Sequence, residues 1–212
     1  MTKLPEEPDR ALLRKLGPDG RVLPRGSRIW RVYFQGGPHP TAWNAFRAFG
    51  PAGARFDHHE PPPRTQARAI LYGAAGTRGG ITCLAEVFQS TRTINRRRNE
   101  PWLVVFRLSR AVRVHDLMGV WPTRAGASMN INSGPHERAR NWSRAIYELY
   151  PGIEGVCYGS AMHANEPALA LYERALTALP PRPEGHWSLL DPRLRDRVLN
   201  AAARLGYVVW PP

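Results

Sequence analysis

Five polar residues of this 212-residue chain follow predicted strands or lie at the ends of predicted helices, where side chains often do chemistry: Arg31, Arg55, Tyr72, Glu86 and Ser160. A guanidinium can grip a phosphate through a bidentate fork, and a tyrosine ring can pack on a flat heterocycle. Each also has a structural interpretation, an ion pair for an arginine and a core position for the tyrosine. Glu86 gives the strongest signal, because a carboxylate beside a buried helical stripe is costly to bury unless it is paired or used.

The common catalytic and metal-binding motifs are missing from the sequence. It contains no GxGxxG after a strand, no GxxxxGK[ST], no HExxH and no GxSxG. Cys83 and Cys157 lie in apolar stretches without CxxC spacing, so we predict core packing for both and no metal site. His58 and His59 are adjacent, and neighbouring side chains of an extended segment point apart, so we predict a solvated pair in a loop.

The pattern of apolar residues predicts an α+β fold in which short strands outnumber helices. A Gly-, Pro- and His-rich segment over 35–63 and the stretch 116–136 are predicted as loops. Residues 1–25 are predicted as an N-terminal arm, and 26–212 as a single domain. Strands are predicted at 28–33, 69–73, 102–106, 111–114, 155–160, 168–172 and 207–210. Helices are predicted at 10–16, within 81–91, at 141–150 and from Pro192 to just before Gly206.

The charge of the chain favours an anionic ligand or partner. Thirty Lys and Arg against seventeen Asp and Glu give a formal net charge of +13. The arginines are scattered, with one run at 96–98, so a solvated basic surface is the plainer interpretation. No stretch approaches the roughly 18 apolar residues of a membrane span, and the first twenty residues lack an apolar leader. We therefore expect a cytoplasmic protein that does not enter a membrane.

Short motifs in a fixed order resemble the RES domain family. The chain reads WR at 30–31, GARF at 53–56, LYGA at 71–74, AEV at 85–87 and GVCYGSA…N from 155 to 165. The resemblance runs from about Arg28 to Tyr172. It implies a mixed sheet related to that of ADP-ribosyltransferases, with flanking helices. It also implies a toxin that degrades NAD⁺ by hydrolysis or phosphorolysis and is silenced by a cognate antitoxin with an Xre-like helix-turn-helix.

The resemblance also implies roles for the five polar residues. Arg31 and Arg55 would hold the dinucleotide, and Tyr72 would pack on it. Glu86 would stabilise the positive charge that builds on the ribose when the nicotinamide bond breaks. Ser160 would orient a phosphate or ribose oxygen.

Two further residues and one further substrate follow from the same resemblance. Ser143 is a second candidate for the serine, and Asn165 a candidate support of the site. NAD⁺ is expected as the substrate with no further cofactor, and either water or inorganic phosphate as the acceptor. Nucleic acid is expected to be reached only through the antitoxin. The chain departs from its compact relatives in reading GARFD where they read a GGRWN-like sequence, and in the long segment before Ala69.

The sequence leaves two other functions open. The same site could pass ADP-ribose to a protein or nucleic acid, which labelling from NAD⁺ would reveal. A basic nucleic-acid-binding protein without catalysis would instead bind in a salt-sensitive way and be indifferent to Glu86→Gln.

Overall fold

A mixed sheet flanked by helices forms the framework of the chain, which is described over residues 3–211 by a computed structural model. Within those residues, nine strands form the main sheet in the order β1-β7-β8-β9-β4-β2-β6-β10, with β3 paired to β4, while β5 and β11 form a separate parallel pair. The predicted α+β class is confirmed. The strands are β1 (Gly20–Leu23), β2 (Arg28–Phe34), β3 (Arg47–Gly50), β4 (Arg64–Ala75), β5 (Thr93–Asn95), β6 (Pro101–Arg107), β7 (Val112–Asp116), β8 (Gly155–Gly159), β9 (Pro167–Tyr172), β10 (Gly185–Ser188) and β11 (Val208–Trp210).

Helices cover the two halves of this sheet. Helix α4 contributes Trp142 to a hydrophobic cluster that also includes Trp121 and Tyr150. Helices α2 and α5 share a second cluster through residues such as Leu84 and Val198. No helix among residues 3–211 is long and apolar enough to cross a membrane. The helices are α1 (Arg10–Leu16), α2 (Gly79–Val87), α3 (Trp121–Arg124), α4 (His136–Leu149) and α5 (Arg195–Leu205), with 3₁₀ turns at Met129–Ile131, Glu173–Ala178 and Pro192–Leu194.

The sheet opens between its two central strands. Among the described residues, β2 and β4 are paired at two positions, Ile29 with Ala75 and Trp30 with Ala74. Beyond Trp30, β2 continues along β6, while β4 continues along β9 and β3. A Cβ on Gly73 would lie 2.8 Å from the Trp30 carbonyl oxygen, so only glycine fits where the strands part. This opening creates the space for a ligand site.

The N-terminal segment packs into the domain. Leu4 and Leu13 are fully buried in the cluster around Trp121 and Trp142, and β1 pairs with β7. Helix α1 has the predicted bounds, and the Asp9 carboxylate caps it by accepting from two backbone N–H groups. The segment predicted as an arm, from residue 3 onward, therefore contributes to the core.

The long segment before β4 differs from its prediction as a loop with a solvated histidine pair. It contains β3, and both histidines are fully buried, so the solvated-pair prediction was wrong. The His59 Nδ1 lies 2.6 Å from the Asp57 carboxylate. The His58 ring packs on the rings of Tyr147 and Tyr172, with ring centroids 4.3 and 4.4 Å apart. The segment folds back over β4, and aromatic packing with a carboxylate partner makes this burial favourable.

Candidate active site

A cavity of about 270 Å³ lies where the sheet opens. Its walls come from β2, β4, β8 and α2, from the start of α4, and from the loops that hold residues 54–55, 132 and 161. Three of the predicted site residues line it: Arg55, Tyr72 and Glu86.

Glu86 is held in place by Ser160. The Ser160 hydroxyl, fully buried after β8, donates a 2.5 Å hydrogen bond to the Glu86 Oε1. Ser160 is itself fixed, since its backbone N–H donates to the Glu166 carbonyl and its Oγ accepts from the Met162 N–H at 3.2 Å. Helix α2 buries Leu84 and Ala85 and so leaves Glu86 on its flank, at the cavity wall. The carboxylate therefore has one defined orientation toward the cavity.

Arg55 supplies a cation to the same cavity. One Nη1–H donates to the Gly134 carbonyl, which anchors the guanidinium across the loop. Burial lowers the pKa of Arg55, and this is opposed by the nearby Glu86 carboxylate. Arg55 and Glu86 therefore bring opposite charges to one cavity.

Tyr72 contributes a ring and an unsatisfied hydroxyl. Its side chain comes from β4 at the opening and lines the cavity. The hydroxyl is buried and makes no hydrogen bond within residues 3–211, and burial raises the pKa of Tyr72 well above 10. A buried hydroxyl without a partner costs free energy, which a ligand oxygen could recover.

Arg31 lies just behind the cavity rather than on its wall. It is the first β2 residue past the last pair with β4. Its Nε and Nη1 are buried without a hydrogen-bond partner in the described chain, and burial lowers the pKa of Arg31 to about 10. Arg47 adds a second positive charge nearby and lowers the pKa further. A buried guanidinium with two nitrogens unpaired among residues 3–211 favours an anionic group nearby.

Ser143 and Asn165 lie outside the cavity wall. The Ser143 hydroxyl is buried within α4 and donates to the Phe56 carbonyl at 2.8 Å, which is a structural contact. Asn165 adopts a left-handed conformation (φ 58°) in the turn after β8, and its N–H donates to the Ser160 carbonyl. It lines a separate polar groove that also touches Asn132 and Ala161 of the cavity.

Five polar residues of the cavity wall were not predicted as site residues: Thr82, Gln89, Asn132, His136 and Tyr158. The His136 Nδ1 lies 2.9 Å from the Gly53 carbonyl, and the Asn132 amide donates to the Leu117 carbonyl while its Oδ1 is buried without a partner among residues 3–211. Asn132 and His136 fall in the stretch predicted as a loop, where no periodic pattern marks individual side chains. Over residues 3–211, no group of three or more His, Cys, Asp or Glu side chains is arranged to hold a metal ion.

Comparison with known proteins gives a family and a fold. The model of the RES domain matches residues 28–190, more than half of the chain. The fold is similar to that in a crystal structure of the M. tuberculosis MbcT–MbcA toxin–antitoxin complex, with a TM-score of 0.57 and 16% sequence identity over 89% of this chain and 96% of that chain. No match was found among curated proteins.

Proposed function

The chain belongs to the RES domain family, and from that premise we propose that it degrades NAD⁺ by cleaving the bond between nicotinamide and ribose, as the toxin of a toxin–antitoxin system. The observation that carries this proposal is the Ser160–Glu86 hydrogen bond, which fixes a carboxylate on the wall of a cavity shared with Arg55 and Tyr72.

A fixed carboxylate suits this reaction. As the C–N bond breaks, nicotinamide departs as a neutral molecule and the ribose acquires positive charge. A carboxylate already oriented toward that charge stabilises it without a further cost of reorganisation. In this proposal Glu86 is the catalytic residue, and Ser160 is a positioning residue that acts through it.

The remaining residues bind and orient the dinucleotide. A cavity of about 270 Å³ is slightly smaller than the roughly 300–1,000 Å³ of sites that enclose a whole ligand, so it takes the nicotinamide end and leaves the adenosine outside. Tyr72 packs on that end, and Arg55 on the cavity wall pairs with the phosphates and ribose. Arg31 adds positive charge from behind that wall. The Nε and Nη1 of Arg31, buried without a partner among residues 3–211, support an anionic group nearby.

The acceptor is water or inorganic phosphate, and the products distinguish them. Attack by water on the ribose carbon yields ADP-ribose, nicotinamide and a proton, whereas attack by phosphate yields ADP-ribose 1-phosphate and nicotinamide. Purified protein is incubated with NAD⁺ in buffers with and without phosphate, and both products are quantified. Nicotinamide release that needs phosphate establishes phosphorolysis, release without it establishes hydrolysis, and no release in either buffer refutes the proposal.

We further propose a cognate antitoxin with an Xre-like helix-turn-helix. The MbcT–MbcA structure holds a toxin with its antitoxin, and the net charge of +13 suits an acidic inhibitor. Expression of this chain alone in the cytoplasm of a host cell is expected to arrest the growth of that cell, whereas expression of the Glu86→Gln variant is expected to leave growth unaffected. Growth arrest by both proteins would argue against toxicity through this site.

A transferase remains the second candidate because of the adjoining polar groove. That groove, about 680 Å³ in volume, meets the cavity at Asn132 and Ala161, and its lining includes Lys3 and polar side chains such as Ser128 and Asn130. It could hold an acceptor macromolecule. Label from NAD⁺ that appears in added protein or nucleic acid, and not in free ADP-ribose, would favour transfer.

A further inference from the structure

A second hollow of about 340 Å³ lies between α2 and α5, away from the Glu86 cavity. Its floor is apolar, with Trp30, Leu84 and Leu103 at the base and Ile81 on one wall. The Trp30 indole N–H is already satisfied by the Gly76 carbonyl at 3.1 Å, so the ring offers only apolar surface to an occupant. We call this hollow the α2–α5 groove.

The rim of the α2–α5 groove is cationic. Arg197 and Arg204 line it from α5, and both are exposed. Neither makes a side-chain hydrogen bond or ion pair with any residue of the 3–211 segment, although many other arginines of the chain do. Two unpaired cations beside an apolar floor favour an occupant with an apolar face and negative charge along its edge.

The spacing of the two arginines suggests the form of that occupant. Seven residues of α-helix rise about 10 Å and bring Arg197 and Arg204 back to the same face. Carboxylates seven residues apart on a bound helix have the same spacing, and apolar residues three and four positions along would face the floor. We propose that the α2–α5 groove binds an acidic amphipathic helix of a partner protein.

This occupant would contact the helix that carries Glu86 without entering the cavity. Ile81 and Leu84 belong to the same helix as Glu86 but face the groove, whereas Glu86 faces the cavity. The inference does not depend on turnover of NAD⁺, and its test measures binding alone.

The test uses three synthetic helical peptides of equal length with the full chain. The first has an apolar stripe flanked by glutamates seven residues apart, the second has the same residues with the glutamates moved to the opposite face, and the third has lysine for each glutamate. Fluorescence anisotropy is expected to show salt-sensitive binding of the first peptide and at least tenfold weaker binding of the other two.

Variants locate the binding on the protein. Arg197→Glu with Arg204→Glu is expected to weaken the first peptide at least tenfold, and Ile81→Gln is expected to weaken it with both arginines intact. The matched control is Arg195→Glu, an exposed arginine on the opposite side of α5, for which affinity should stay within about twofold. Circular dichroism checks that each variant is folded.

The proposal is overturned by any of three results. These are no binding of the first peptide up to millimolar concentration, equal binding of all three peptides, and a loss with Arg195→Glu as large as that with the Arg197 and Arg204 pair. If the purified chain degrades NAD⁺ but fails this test, the helix-binding proposal for the α2–α5 groove is refuted and the proposed NAD⁺-degrading activity is not.

Discussion

Replacement of Ser160 by alanine tests how the carboxylate is held. The substitution removes the hydroxyl that donates a 2.5 Å hydrogen bond to Glu86, and it leaves the carboxylate itself in place. A hydrogen bond to a charged group contributes about 1.5–3 kcal/mol, and each 1.4 kcal/mol corresponds to a factor of ten. We therefore expect kcat/KM for NAD⁺ cleavage to fall by about tenfold to a hundredfold.

The loss should appear in kcat, because an oriented carboxylate acts on the charge of the transition state. Initial rates of nicotinamide release over a range of NAD⁺ concentrations separate kcat from KM. A change in KM alone would refute the positioning role and make Ser160 a direct contact to the substrate.

Ser143→Ala is the matched control for this prediction. Ser143 is fully buried like Ser160, and its hydroxyl donates a 2.8 Å hydrogen bond to the Phe56 carbonyl, but it lies off the cavity. Both alanine variants should lose about 1–3 kcal/mol of unfolding free energy, because each leaves a buried acceptor without its hydrogen bond. Only Ser160→Ala should lose activity, and equal loss by both would mean that the effect is one of stability.

Three further predictions concern the frame and the binding residues. Burial lowers the pKa of His115 to about 4 from an ordinary 6.5. As the pH falls from 6.5 to 4, the unfolded chain therefore takes up a proton before the folded chain does, and about 3 kcal/mol of stability is lost. Urea unfolding at pH 7 and pH 4 should show this loss, and His115→Phe should lose less. Leu13→Ala should cost about 2–5 kcal/mol in the same assay, because Leu13 is fully buried, and a negligible cost would mean that the N-terminal segment is dispensable. Arg55→Lys keeps the charge but loses the planar fork, so KM for NAD⁺ should rise several-fold, and an unchanged KM would remove Arg55 from substrate binding.

Local patterns in the sequence were sufficient for much of the framework. Alternation predicted the strand that became β2, and punctuation by Asp191, Pro192 and Gly206 predicted the last helical region. Short strands without a complete period, β1, β3, β5 and β10, were not predicted, because their formation depends on the partner strands that complete their hydrogen bonds.

The candidate site was predictable only where a residue gives a local signal in the sequence. Glu86 was identified because a charge beside an apolar stripe is a local anomaly. The opening of the sheet at Gly73 is a tertiary feature, and the cavity residues Asn132 and His136 come from a loop without a periodic signal. The buried His58 and His59 were missed because their burial depends on Asp57 and on aromatic rings distant in sequence.

Single-turnover cleavage of NAD⁺ by wild-type protein and by Glu86→Gln tests the central claim most directly. The control is Glu6→Gln, an exposed glutamate whose carboxylate makes no hydrogen bond within residues 3–211. The account predicts stoichiometric nicotinamide release by the wild type and by Glu6→Gln, and a rate at least about a hundredfold lower for Glu86→Gln. Equal rates for all three proteins, or no nicotinamide from any of them, would contradict it.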